Sequence, residues 1–253
     1  MPRLPGFLPE DLRQLARFVP AKGWDAISWR PLLASLRKVS WRMASGRGVD
    51  HLSTVISPLV APVTVGDWPN DATPANRVES TTQRRQLGDE LLRLYFAQWL
   101  APEGLFLDLR VPRLALNENH LCFHPSGLWI ELRPDFREGK LALYLSLYSS
   151  DEGAFDAALR QMGMLRDGLS AAAEEELKTL LHNHFGIDQR SQRFSIDSFK
   201  ASFDELFEFF IAHRYKLDSD FVFVGFYLIT LYLSLERLGQ PHDVRSICAE
   251  VLL

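Results

Sequence analysis

The densest group of side chains able to do chemistry is the pentapeptide HLCFH, where His120, Cys122 and His124 fall at i, i+2 and i+4. In a strand those positions share one face, and two imidazoles with a thiolate are donors that suit zinc. The same trio offers a thiol nucleophile beside a histidine base. A structural zinc site takes a fourth ligand, and no CxxC motif supplies it, since His242 and Cys248 are remote in sequence. The plain alternative is two histidines and one thiol in a hairpin.

Other titratable groups carry less. His182 and His184 are two apart near the predicted end of a helix, where i and i+2 do not share a face. Cations there complement the helix dipole, which is reason enough for them. Glu174, Glu175 and Glu176 stand in the first turn of the same helix and read as a solvated face. No GxSxG, HExxH, GxxxxGK[ST] or GxGxxG occurs, so the glycine loop that would cradle a nucleotide's phosphates is missing, and no cofactor is predicted.

Those residues need elements to hold them. Residues 104–134 alternate and contain turn clusters at Asn117–Asn119 and Pro125–Gly127, which predicts two or three short antiparallel strands with a hairpin about Ser126–Gly127. Residues 136–149 fit a strand or a helix, and Asp135 followed by Glu138 favours a helix. Helices are predicted over 81–101, 152–165 (capped by Ser150 or Asp151), 171–185 (stopped by Gly186), 197–214, 219–238 and 243–253. Phe199, Phe203, Phe207 and Phe210 line one side of the fourth of these. With Tyr227 in the next, Phe203, Phe207 and Phe210 are candidates to line an apolar groove for a lipid-like ligand. The run from Phe221 to Leu235 is 15 residues long, short of the roughly 20 that span a bilayer, and reads as a buried core helix.

The chain has 253 residues, 47% hydrophobic and 24% charged, which places it among globular proteins. A net charge of −4 argues against a nucleic-acid partner. That total averages unlike ends: +5 over residues 1–50 and −4 over 201–253. Asp25 is a candidate cap for a basic amphipathic helix over residues 26–46. Its Trp29, Leu32, Leu33, Leu36, Val39 and Met43 fall on one side, with Arg30, Arg37, Lys38 and Arg42 opposite; Gly46 and Gly48 end it. Arg37, Lys38 and Arg42 are therefore candidates for peripheral membrane or protein-partner contact. Four prolines make residues 57–80 a linker or ordered loop, with Trp68 expected to pack on something. The expected organisation is a basic helical segment (1–56), this joint, and a main domain (81–253). The N-terminus shows no secretory signal, and two distant cysteines suggest a reducing cytoplasm.

Residues 88–240 also carry an ordered set of landmarks: GDELLRLYFAQWL, GLFLDLRVPRL, the hairpin CFHPSGLWIEL, LALYLSLYSSDEGAFDAALRQMGML, and a tail ending FVFVGFYLITLYLSLERLG. This order resembles the C-terminal lobe of the UbiB-like atypical protein kinases. Gly104, Phe106, Pro112, Pro125, Gly127, Asp151, Ala158, Gly163 and Leu235–Glu236 match its scaffold. The catalytic positions do not match. Leu107 stands for the loop histidine, Leu109 for the catalytic aspartate, Leu114 for the metal-binding asparagine, and Arg133 falls near the metal-motif aspartate. About six residues around Asn117–His120 are inserted, and no N-terminal lobe is visible. The resemblance implies an α+β, predominantly helical fold, with a small antiparallel sheet and a kinase-C-lobe-like helical bundle. It also implies a non-catalytic binding or adaptor role, because kinase chemistry rests on metal-held phosphate. A metal or thiol enzyme using His120, Cys122 and His124 is the alternative.

Overall fold

The computed structural model describes residues 9–19, 22–149, 151–185 and 191–253. The fold is α+β and predominantly helical. Its elements in order are α1 (Glu10–Ala16), α2 (Trp29–Ser45), α3 (Val49–Ile56), β1 (Thr64–Val65), β2 (Thr73–Pro74) and α4 (Thr81–Ala97). Next come β3 (Leu105–Phe106), β4 (Leu114–Asn117), β5 (His120–Phe123), β6 (Trp129–Ile130), α5 (Pro134–Ser149) and α6 (Glu152–Gln161). The chain closes with α7 (Ala171–Phe185), β7 (Gln192–Arg193), α8 (Ile196–Ala212), α9 (Ser219–Leu238), β8 (Pro241–His242) and α10 (Val244–Leu252).

Side-chain caps set several helix starts. Ser80, Asp151, Asp218 and Asp243 each accept from the backbone N–H three residues on, satisfying a donor the helix leaves unpaired. α2 differs from expectation: it starts after Ser28, and Asp25 lies in a preceding 3-10 turn. Gly46 ends α2 in the left-handed region, as expected. Residues 134–149 are helical, but the helix begins at Pro134, so Asp135 sits in its first turn. Ser150 and Gly186, the other terminus signals, lie outside the described residues.

The sheet departs further. It is mixed, in the order β1-β5-β4-β2, with β1 parallel to β5. The proline-rich stretch therefore supplies both edge strands, where a missing backbone donor is tolerated. The hairpin turns at Glu118–Asn119, both at positive φ, instead of at Ser126–Gly127. The Pro125–Gly127 cluster leads instead to β6, which pairs with β3 in a separate two-stranded sheet. Trp68 packs edge-on against His124 at 6.4 Å.

The apolar side chains form one cluster that includes Leu12 and Leu15 of α1, Leu32 and Leu36 of α2, and the helices to α10. The basic segment is tied to it electrostatically. Arg110 bonds both Asp11 of α1 and the buried Asp108. Burial alone would raise the Asp108 carboxyl, but Arg110 and Arg113 overcome it and hold it below the usual carboxylate range.

α9 lies against α4, α8, α1 and α2. It is long and apolar enough to cross a membrane, yet 78% of its apolar window is buried within the protein. Its hydroxyls explain how leucine-rich residues 106–109 are held there. Thr230 Oγ1 donates to Leu107 O at 2.6 Å and accepts from Leu109 N at 3.2 Å. Ser234 Oγ donates to Leu109 O at 2.8 Å. The helix thus satisfies backbone groups that would otherwise be buried unpaired.

Candidate ligand cavities

The expected metal trio is split by its partners. His120 is exposed and its Nδ1 lies 3.2 Å from Glu90 Oε1. His124 faces Asp67 at 3.3 Å and the Trp68 ring. Cys122 is buried between them, and burial pushes its thiol up, against the thiolate that a ligand or nucleophile needs. Among the described residues no three His, Cys, Asp or Glu side chains are grouped to hold a metal ion.

The basic trio on α2 is also divided. Arg37 is exposed, and Lys38 reaches Glu131 at 2.6 Å. Arg42 is only 7% exposed: it lies 3.8 Å over the Trp129 ring and bonds Glu131. Its stem and guanidinium are part of the packing, so it is not available to a membrane. The face that α2 does present carries Arg30, Arg37 and Trp41; Trp41 is 53% exposed, with Arg47 stacked 5.0 Å over its ring.

The groove candidates are core residues. Phe203 stacks on Phe199 at 5.0 Å, and Phe207 packs edge-on against Phe203 and Phe221. Tyr227 is fully buried: Gln98 Nε2 donates to its hydroxyl at 2.7 Å, and the hydroxyl donates to Tyr95 O. Two of the four do reach cavities.

Phe210 lines an outer cavity of about 260 Å³ between the start of α5, the end of α6 and the α8–α9 connection. Three cations and one carboxylate, Asp218, are among its lining. Arg133 bonds Asp220 at 2.8 Å and also Asp218; Arg160 lies 3.4 Å from Glu174; Lys216 Nζ donates to Asp25 O at 2.8 Å. Phe203 lines an inner, almost wholly apolar cavity of about 30 Å³ among α5, α7, α8 and α9. The two cavities share Phe136, Met162, Met164 and Phe221 as walls. α5 and α6 approach closely enough there for a Cβ at Gly139 to fall 2.8 Å from Met162 Cγ.

The inner cavity contains a group that the sequence pattern does not single out. Lys140 is 3% exposed, and its Nζ lies 4.4 Å from the Tyr144 ring centre and 4.5 Å from that of Phe185. Among the described residues no carboxylate pairs with it. Burial in this apolar site pushes its amine down to about 7. His184 lines the same cavity, with Nδ1 2.8 Å from Ser202 Oγ; burial and then the Lys140 charge push it down to about 3. His184 is therefore neutral, which corrects its reading as a cation serving the helix dipole; His182 packs on Phe155 at 5.0 Å. A sequence signal for Lys140 exists: it falls at helical spacing among Phe136, Leu143, Tyr144 and Leu147, on the apolar face of α5.

A second unforeseen pair is structural. His242 is buried, its Nδ1 2.7 Å from Asp89 Oδ1, and its ring occupies a notch left by Gly88 on α4. Its Nε2 is buried and has no hydrogen-bond partner among the described residues. No protein-family model matches the chain, and no curated protein matches it.

Proposed function

We propose that this chain is a non-catalytic binding protein that holds a small amphipathic ligand, with a short apolar chain and an acidic end, in the adjoining cavities. The observation that carries this reading is the pairing of an outer cavity, whose lining sets Arg133, Arg160 and Lys216 against the one carboxylate of Asp218, with an inner, mostly apolar cavity across shared walls. Concave, largely apolar sites with a few oriented polar groups are the usual form of small-molecule sites. Met162 and Met164 in the shared wall suit it, because unbranched methionine side chains repack readily around a guest. The non-catalytic part draws support from Leu107, Leu109 and Leu114. They are buried aliphatic side chains where the UbiB-like kinases place histidine, aspartate and asparagine.

Calorimetric titration with straight-chain carboxylates from butanoate to decanoate tests the reading. Binding should be strongest at one chain length, and Met162→Trp, which fills the shared wall, should abolish it in a chain that still unfolds cooperatively. No heat and no thermal stabilisation for any chain length at millimolar concentration refutes it.

A second reading is favoured by the exposed Trp41 beside Arg30, Arg37 and Arg47. Tryptophan with arginine on one helix face suits the headgroup level of an anionic bilayer. The double substitution Trp41→Ser with Arg37→Glu should then abolish co-sedimentation with phosphatidylserine vesicles. Equal recovery of both proteins in the pellet removes this reading.

A further inference from the structure

We propose that Lys140 is a carbonyl-reactive amine, placed to capture a small aldehyde as an imine inside the inner cavity. The proposal rests on the cavity reading above and adds a covalent step to it.

Three observations place the amine. Lys140 is almost wholly buried, yet it lines a cavity of about 30 Å³, room for about two waters, which an aldehyde enters as the methionine side chains of the shared wall move aside. It has ring faces for neighbours, and among the described residues no carboxylate pairs with it. The wall that separates it from the larger opening is built of Phe136, Phe221 and two methionines, a flexible and apolar barrier. Buried lysines without a partner carry their amine neutral near pH 7, which is the nucleophilic form used in imine chemistry.

Among the described residues that line the cavity, no other side chain is charged. On its own helix the titratable neighbour is Tyr144, held protonated by burial. From α7 it faces His184, which is neutral. The cavity walls contributed by α8, by α9 and by the chain after α6 are not titratable: Phe203, Leu206, Val224, Leu228 and the two methionines.

The step balances without a further reactant. The Lys140 Nζ lone pair attacks the carbonyl carbon, the C–N bond forms, and the C=O π pair goes to oxygen. One amine proton moves to that oxygen to give a carbinolamine. The oxygen then leaves as water, taking the second amine proton, and C=N remains. The imine nitrogen takes a proton from water, and cyanoborohydride, added as the reductant, delivers hydride to the carbon, which leaves a secondary amine and makes the adduct permanent.

The experiment uses the full chain at pH 7 with butanal and cyanoborohydride, followed by peptide mapping. A neutral-amine fraction near one half, against well under one per cent for an ordinary lysine, sets the contrast. Lys140 is expected to carry at least about tenfold more adduct than Lys38, Lys178, Lys200 or Lys216. Butanoate or a longer carboxylate that binds should suppress that adduct and leave the others unchanged. If carboxylates bind but Lys140 is labelled no faster than the exposed lysines, or only in denaturant, the amine proposal is overturned and the cavity reading stands. If Lys140 is labelled selectively but no carboxylate binds, the acidic-ligand reading falls and the reactive amine stands. Both outcomes are read on the wild-type chain, so a folding defect in a Lys140→Met variant cannot obscure them.

Discussion

Replacing Lys140 by methionine should make the protein more stable at neutral pH and remove a pH dependence that the lysine imposes. Methionine keeps the length of the side chain and discards the charge, and replacing a buried charge by an apolar group of similar volume is often stabilising. The magnitude follows from linkage. The unfolded lysine titrates near 10.5 and the folded one at about 7, so the unfolded chain binds the proton more tightly. A depressed lysine penalises the folded state wherever the unfolded amine is charged. The penalty is full below the folded value, shrinks as pH rises from 7, and vanishes above 10.5. Each tenfold loss of proton affinity on folding costs about 1.4 kcal/mol, which gives a penalty of about 4 kcal/mol at pH 7 and about 1 kcal/mol at pH 9.5. The assay is urea unfolding of both proteins at pH 7.0 and 9.5. The Lys140→Met advantage should shrink by about 3 kcal/mol between them, on the order of 6–12 °C in melting temperature for a chain of this size. Taking the difference between the two proteins cancels the buried tyrosines, which also respond to alkaline pH. An advantage that stays constant from pH 7.0 to 9.5 refutes the desolvation of Lys140, and with it the physical basis of its reactivity.

Three further outcomes follow from the packing. Gly88→Ala places a Cβ 2.5 Å from His242 Nε2 and closer still to Cε1; the ring is buried and tied to Asp89, so the variant should lose about 1–3 kcal/mol despite alanine's better helix propensity. Adding His242→Ala should make the same change neutral, and chemical denaturation of the double-mutant cycle checks it. Asp108→Asn leaves Arg110 and Arg113 without their buried carboxylate and should cost about 3 kcal/mol at pH 7. The wild-type carboxyl is depressed, so its contribution is complete above the unfolded value near 4 and is lost as pH falls through the folded value; acid titration by circular dichroism should be steeper for wild type. Thr230→Val removes the hydroxyl that serves both Leu107 O and Leu109 N, and should cost about 1–3 kcal/mol by urea unfolding.

Much of the helical architecture is legible in order. The periodic stretches over 81–101, 152–165, 219–238 and 243–253 contain α4, α6, α9 and α10, and the cap read at Asp151 is made, because helical periodicity and caps link residues three or four apart. The hairpin is not legible, because two turn clusters compete and the choice between them depends on which strands pair. Glu118–Asn119 wins because Asn117 faces His120 across the turn, while the strand after Gly127 pairs with β3. The parallel β1–β5 pairing joins residues 64–65 to 122–123, too far apart for any local signal.

Charge patterning transfers least well from sequence to structure. By spacing, Arg42 belongs to a solvent-facing trio and Lys140 is one more polar residue in an ambiguous helix. Composition and local periodicity determine which stretches fold as helices and that an apolar core must form, because those depend on neighbours along the chain. Only the tertiary structure decides that Arg42 is sealed by Trp129 and Glu131, and that Lys140 is buried among aromatic rings. Burial and counter-ions come from segments about 90 residues away in one case and about 45 in the other, and desolvation is a property of the assembled interior.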